Sequence, residues 1–462
     1  MMLLYLLTAL FCACAGFARS CRAVRSVVSV FFGVQLLFAL WLVAGGRTDA
    51  TSSVFFTFDR LGMLFFVLMT VVSSTAFFQS SRYLDAENLH EHKVYKISLM
   101  LLCASASAVY FANNVAVTWI FLEATTLCTA GLVYHRRDER SLEATWKYIF
   151  VCSTGIAVAY LGILLLGTVA WEAICRTAVS RRAHQQSALP KIAFLFILVG
   201  YSCKMELFPL TRSAWTPISP LRHPLRPSFR PCWSMPASFP YSASTGSSRP
   251  RPWEVGLAGA RDRRRTLGAR RCGVPAPDQR YKRLLSYSTV ENMGIVAIGL
   301  GIGGAGVFAA LFHATAHTFI SRACFLHGPG ETYGNYRINR IGDYIRINRV
   351  GAATILLGSV SLLAFPPSAL FRLGGDDLQA DRPRRKWWLL AVTVLSLCFV
   401  MYSLFSRVLQ LCFRPSGKSC GSAFKASPVF AWTGFALIAV SSLIGVLQPE
   451  ALVSFIREIV TF

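Results

Sequence analysis

Charge is scarce in this chain. Only 15% of its 462 residues are Asp, Glu, Lys or Arg, and the acidic ones number 22 against 47 basic ones. With 54% hydrophobic residues and a mean hydropathy of +0.48, too little polar surface remains to coat a water-soluble globule, which excludes that class. Also missing are a CxxC pair, an HExxH motif and any Cys/His spacing suited to zinc, although the chain holds 14 cysteines. Those cysteines lie mostly inside apolar runs and read as small membrane-core residues. GIGGAG (Gly301, Gly303, Gly306) formally matches GxGxxG. It lacks the strand-turn-helix setting of a nucleotide fingerprint and reads as a tight turn between apolar helices.

Long apolar runs are what the chain has in quantity. They reach about 20 residues and are continuous, not alternating, so backbone groups in hydrocarbon are satisfied within helices and not in a barrel. Spans are expected near 2–17, 25–44, 60–78, 95–112, 114–134, 147–170, 191–209, 287–303, 305–327, 348–366, 387–411 and 429–448. The fold class is all-α, a polytopic transmembrane bundle. The amino end lacks a basic n-region and reads as a retained first helix, not a signal peptide. If that helix enters from outside, the basic loops 19–24, 80–94, 135–146, 328–347 and 412–428 fall inside, and both termini face outward from the inner (cell) membrane. The outer loop 171–190, with Arg176, Arg181 and Arg182, fits this least well.

A net charge of +25 would suggest nucleic acid in a soluble protein. Much of it sits between Thr211 and Arg283, a segment crowded with Pro, Arg and Ser and without an apolar window long enough to span. That segment reads as a basic linker, as an arm for anionic lipid or nucleic acid, or as sequence foreign to the fold. The partner that the whole composition implies is the lipid membrane.

Against this background the charges inside apolar runs stand out. Glu123 lies near the middle of one run and Lys204 well inside another; a charge at bilayer depth costs roughly 2.5–3.5 kcal/mol on insertion scales and persists mainly where it pairs or carries ions. Glu123 reads either as a structural carboxyl bonded to a neighbouring helix or as a switchable proton site, since burial and a nearby ammonium act on a carboxyl in opposite senses. Lys204 reads either as a snorkelling residue or as part of an ion site, because Pro209, one turn on, breaks the helix, and broken helices at membrane depth line such sites. Glu206 points away from the Lys204 face.

His313 and His317 stand at i and i+4 on one helix face, spacing that suits a proton relay, a satisfied core pair or, without a third ligand or an HExxH motif, a poor metal site. Arg322 and His327 read as anchors nearer the inner end. Glu143 and Lys147, also four apart, read as a solvated pair at a helix start or as the mouth of an ion path.

With FLEATTLCTAGLVYHRRDERSLEATWKYIFVCSTGIAVAYLGILLL, GYSCKMELFPL, YKRLLSYSTVENMGIVAIGLG and LFHATAHTF in this order, the chain resembles the antiporter-like membrane subunits of respiratory complex I, the Mrp cation/proton antiporters and, most of all, the F component of hydrogenase-4 and formate hydrogenlyase. The resemblance implies two inverted repeats with broken helices. It implies that Glu123 and Lys204 form the pair that modulates proton transfer and that His313 and His317 belong to the central hydrophilic axis. It also implies no cofactor in this subunit: redox chemistry would sit in partner subunits of a hydrogenase or complex I-like assembly, both membrane and iron–sulfur.

The departures from the family pattern carry an expectation of their own. After KMELFPL the sequence leaves that pattern near Thr211 and returns around Asp278, which implies a frameshift over 211–277 that removes about two helices, leaving about 12 of an expected 14. A similar slip is expected over 368–384, and Ser321, with Arg322 beside it, stands where the family carries a lysine. The organisation is then N-terminal transmembrane helices over 1–59, a first repeat over 60–210, an aberrant segment over 211–283, the rest of the second repeat over 284–411, and a last transmembrane helix and tail over 412–462. The expected function is translocation of protons, or sodium against protons, by an integral subunit. The alternatives are a non-conducting structural subunit or pseudogene product, and a stand-alone antiporter.

Overall fold

The computed structural model describes residues 2–45, 55–83, 88–135, 137–169, 189–204, 281–302, 305–326, 338, 342–362, 402–415 and 428–461. Its helices are α1 (Met2–Phe17), α2 (Cys21–Gly45), α3 (Arg60–Tyr83), α4 (Leu89–Phe111), α5 (Val115–Tyr134), α6 (Glu139–Val169), α7 (Leu189–Lys204), α8 (Tyr281–Ile302), α9 (Ala305–Leu326), the single turn α10 (Tyr344–Ile347), α11 (Arg349–Leu362), α12 (402–413), α13 (Pro428–Leu447) and α14 (Glu450–Thr461). Among the described residues there is no strand, only an isolated bridge between Phe56 and Ala112. The chain is an all-α polytopic bundle. Five described helices are long and apolar enough to cross a membrane, and α13 with α14 forms a bent pair that passes the same test. The expected aberrant segment, the Pro209 break and the stretch 368–384 lie outside the described residues, apart from Tyr281 to Arg283 at the start of α8.

Local chemistry explains where the helices start and stop. Asn114 caps α5, its side chain accepting the Ala116 N–H at 2.8 Å, and Asp138 does the same for α6 through the Ser141 N–H at 3.2 Å. Arg137, just before that cap, takes a left-handed φ of 56°, which turns the chain from α5 into α6. Two backbone bonds, Thr57 N–H to Phe111 carbonyl at 2.9 Å and Asn113 N–H to Phe55 carbonyl at 2.8 Å, place the start of α3 beside the end of α4 and the start of α5. At the far end of the chain Gln448 takes φ 42° ahead of Pro449, and α14 leaves α13 at 75°. The composition-based spans had no place for α14. It is a short amphipathic helix with Leu452, Val453, Phe455, Ile456, Ile459 and Val460 turned to the core, and it is fastened to α3 by an ion pair between Glu458 and Arg60.

Helix contacts are built on small residues, as expected where lipid removes the hydrophobic drive between helices. On the α6/α7 seam a Cβ added to Gly155 would lie 2.5 Å from the Cys203 sulfur, one on Gly200 2.5 Å from Ala159, and one on Gly162 2.7 Å from the Ala193 carbonyl. The centre of the second half is α9. Its Ala309, Ala310, Ala314, Ala316 and Ala323 are all fully buried, letting α3, α8, α11, α13 and α14 close around it. Gly301 and Gly306 fall in the end of α8 and the start of α9, with no strand among the described residues to complete a nucleotide site.

Candidate ion path

Two of the expected residues lie within electrostatic reach of each other between α5, α6 and α7. Glu123 lies eight residues into α5, about 12 Å along its axis, and accepts a 2.5 Å hydrogen bond from Ser153 Oγ on α6. Lys204, the last described residue of α7, donates through Nζ to Thr125 Oγ1 at 3.3 Å, two positions along from Glu123. The Glu123 carboxyl is within electrostatic reach of that ammonium, yet among the described residues no ion pair joins them directly. The second carboxyl oxygen, Oε2, is buried without a hydrogen-bond partner among the described residues. Trp119, one turn before Glu123, ties α5 to α6 by donating Nε1–H to the Ile156 carbonyl at 2.9 Å and by stacking on Tyr160. The close α6/α7 seam then sets how far Lys204 reaches. A carboxyl and an amine each held by its own hydroxyl, within electrostatic reach of one another and not locked in an ion pair, can exchange partners when either moves.

His313 and His317 are 1% and 0% exposed on α9. His313 Nε2 sits 3.0 Å from Asn292 Oδ1 on α8, and Asn292 in turn donates Nδ2–H to the Ser288 carbonyl at 2.8 Å. Neither ring nitrogen of His317 meets a hydrogen-bond partner among the described residues. An imidazole so placed is costly to bury unless protons, water or ions visit it. Glu143 and Lys147 do pair with each other, on a half-exposed face of α6 away from the Glu123 seam. Pro209 lies outside the described residues, and no group of metal-ligating side chains is found among those described.

Sequence reasoning missed two charges. Arg322 is 0% exposed and donates Nε–H to Thr75 Oγ1 on α3 at 3.3 Å, so it is not the interfacial anchor expected of it. Lys96, also 0% exposed, sits on α4 with Nζ 2.6 Å from Ser80 Oγ and 4.3 Å from the centre of the Phe77 ring. A signal was present: HEHKVYK carries no turn residue and runs straight into an apolar stretch, so α4 begins at Leu89 and takes Lys96 inside.

The sequence profile described as "NADH:quinone oxidoreductase/Mrp antiporter, TM" matches residues 112–228 and 276–400, more than half of the chain. The chain belongs to this family. Its match takes in Glu123, Lys204, His313 and His317, leaves 229–275 unmatched and runs unbroken across 368–384. Among relatives of this antiporter-family chain, a hydrogenase-4 component F homolog of Methylacidiphilum infernorum is 28% identical over 399 residues, covering 79% of this chain and 80% of that protein. The Na(+)/H(+) antiporter subunit A1 of Staphylococcus aureus is 22% identical over 377 residues, covering 76% of this chain and 45% of the relative. In fold, the chain superposes on a chain of Thermus thermophilus respiratory complex I with a TM-score of 0.78 at 18% identity, covering 99% and 98% of the two chains. The Mrp complex of Dietzia gives 0.75 at 16%, covering 100% and 97%.

Proposed function

We propose that this chain is an integral subunit that translocates protons, or sodium against protons, within a multi-subunit hydrogenase or NADH-quinone oxidoreductase-type complex. The observation that carries the reading is the α5/α6/α7 seam, where Ser153 holds Glu123 and Thr125 holds Lys204, the carboxyl within electrostatic reach of the ammonium, inside a family of membrane antiporter-type subunits. The Glu123/Lys204 group would receive an electrostatic push from a neighbouring subunit and pass it on to the protonation of the buried His313/His317 region. Energy then travels as a change in partner between fixed charges, with redox work done in iron–sulfur subunits of the same assembly. The two inverted repeats, the inner membrane and outward termini belong to the same proposal.

The test is Glu123→Gln in the assembled complex. Loss of coupled proton pumping with normal assembly is expected; unchanged pumping overturns the role given to this carboxyl. Isolation of the chain without any redox subunit would favour a stand-alone antiporter.

One observation favours the non-conducting reading: residues 229–275, inside the aberrant segment, are the gap between the two stretches that the family profile matches. Reading the gene in all three frames decides it. An apolar helix encoded in another frame over 211–277 supports a frameshift, and its absence dismisses one.

A further inference from the structure

Three cations in the described bundle, Lys96 and Arg322 buried and Lys204 half-buried, are seated in the same way. Lys204 donates to Thr125 Oγ1, and that hydroxyl donates its own proton to the Leu122 carbonyl at 2.6 Å. Lys96 donates to Ser80 Oγ, and Ser80 donates to the Phe77 carbonyl at 2.8 Å. Arg322 donates to Thr75 Oγ1, and Thr75 donates to the Val72 carbonyl at 2.8 Å. In each case a bond to the carbonyl three residues back fixes the hydroxyl hydrogen, so the oxygen lone pairs are presented outward to a cation. One such seat belongs to the Glu123 group. The other two lie on α3, five residues apart, which is about 7.5 Å along the axis and roughly 140° around it, so one faces α4 and the other faces α9.

Position on α9 separates Arg322 from the histidines. Arg322 follows His317 by five residues and His313 by nine, which turns it roughly 140–180° around the helix at 3.6 residues per turn. His313 meets α8 through Asn292, whereas Arg322 meets α3 through Thr75. The surroundings of Lys96 are polar and titratable: the Tyr95 ring lies 5.8 Å from its Nζ, His135 at the end of α5 packs edge-on against Tyr95 at 5.3 Å, and His92 on α4 and Gln79 on α3 are both buried.

We propose that Lys96, held on Ser80 between α3 and α4, is a second ion-handling site that loads and releases a proton, while Arg322, held on Thr75 from α9, is a fixed charge on another face of α3. This rests on the ion-translocation reading above. The division of labour follows from the side chains: a buried lysine can give up its proton, whereas arginine stays charged in proteins. The α3 helix thereby ties the first half of the chain to the histidine-bearing helix of the second by charge as well as by packing.

The experiment uses the assembled complex in proteoliposomes under a potassium diffusion potential, with a pH dye inside. Wild type is compared with Glu123→Gln, Lys96→Met, Lys96→Arg and Arg322→Gln, and thermal melting in detergent reports folding. Lys96→Met and Lys96→Arg should both slow proton flux about 10-fold or more while melting within a few degrees of wild type. Lys96→Arg is decisive, since it keeps the charge and the bond to Ser80 but cannot release a proton; wild-type flux in that variant makes Lys96 a structural cation and overturns the proposal. If Lys96→Met fails to fold, Ser80→Ala takes its place, with about a 3-fold or greater loss expected and wild-type flux counting against the site. Flux abolished by Glu123→Gln but untouched by the Lys96 variants leaves the general reading standing and removes this one. No flux in the wild type defeats both.

Discussion

At the scale of single residues the chain places ionisable groups where they must be held by something other than bulk water. Asp59, just ahead of α3, is part-buried with its Oδ1 shut off from solvent, and that desolvation pushes its carboxyl up to about 7, against the pull of nearby backbone N–H groups, Gly62 first. The folded chain therefore keeps a proton on Asp59 up to about pH 7, while an unfolded aspartate loses it near pH 4. Between those values the folded state binds more protons than the unfolded one, so stability falls as pH rises from about 4 to about 7 and levels off above. Asp59→Asn should flatten that slope, read from melting temperatures in detergent across this range. A slope unchanged in the variant would place the pH dependence elsewhere. The same accounting shows which site residues were legible in the sequence. Glu123 and Lys204 declared themselves because each interrupts an apolar run, where a charge has no inexpensive reading. Lys96 and Arg322 did not, because each lies within about two turns of a helix end, where a snorkelling side chain is the ordinary explanation. Only the three-dimensional placement of Ser80 and Thr75 shows that they turn inward.

At the scale of the helix, close approach decides geometry. Gly155, Gly162 and Gly200 let α6 and α7 touch, and α7 carries Lys204 to Thr125. Gly200→Leu would drive a side chain into Ala159 and the Gly155 carbonyl; overpacking of this kind costs about 1–3 kcal/mol. The expected result is a lower melting temperature together with lost ion flux, whereas Gly45→Leu, with open space around its Cβ, should change neither. Equal effects of the two substitutions would mean that the seam does not set the site. The helices themselves were largely readable from apolar length, but two boundaries were not. The α4 start lay hidden in HEHKVYK because charge there masks a continuous helix, and α14 was passed over because hydropathy counts apolar residues without asking on which face they fall. Its apolar positions 452, 453, 456, 459 and 460 follow the three-and-four spacing of an amphipathic helix, and Ile456 is fully buried. Removing residues 448–462 should uncover this face of α3 and α9 and lower the melting temperature by several degrees; an unchanged melt would show α14 to be an attachment without structural weight.

At the scale of the whole molecule, one contact constrains the topology across the segments that lie outside the described residues. Arg60 at the start of α3 pairs with Glu458 on α14, which directly follows α13, so the start of α3 and the end of α13 share one side of the membrane. The chain between them must cross the bilayer an even number of times. A lesion over 211–277 that deletes a pair of helices preserves that parity, and so the pairing can exist in both an intact and a shortened chain. Deletion of a single crossing would carry Glu458 to the opposite side, some 30 Å away across the hydrocarbon, and the bond to Arg60 could not form. The double variant Arg60→Cys/Glu458→Cys tests this in native membranes. Mild oxidation should yield a linked pair of peptides by mass spectrometry, and a membrane-impermeant thiol reagent applied from one side only should block the link. No link, with the two cysteines labelled by the reagent from different sides, would mean that the two ends are not on one face and that an odd number of crossings separates them.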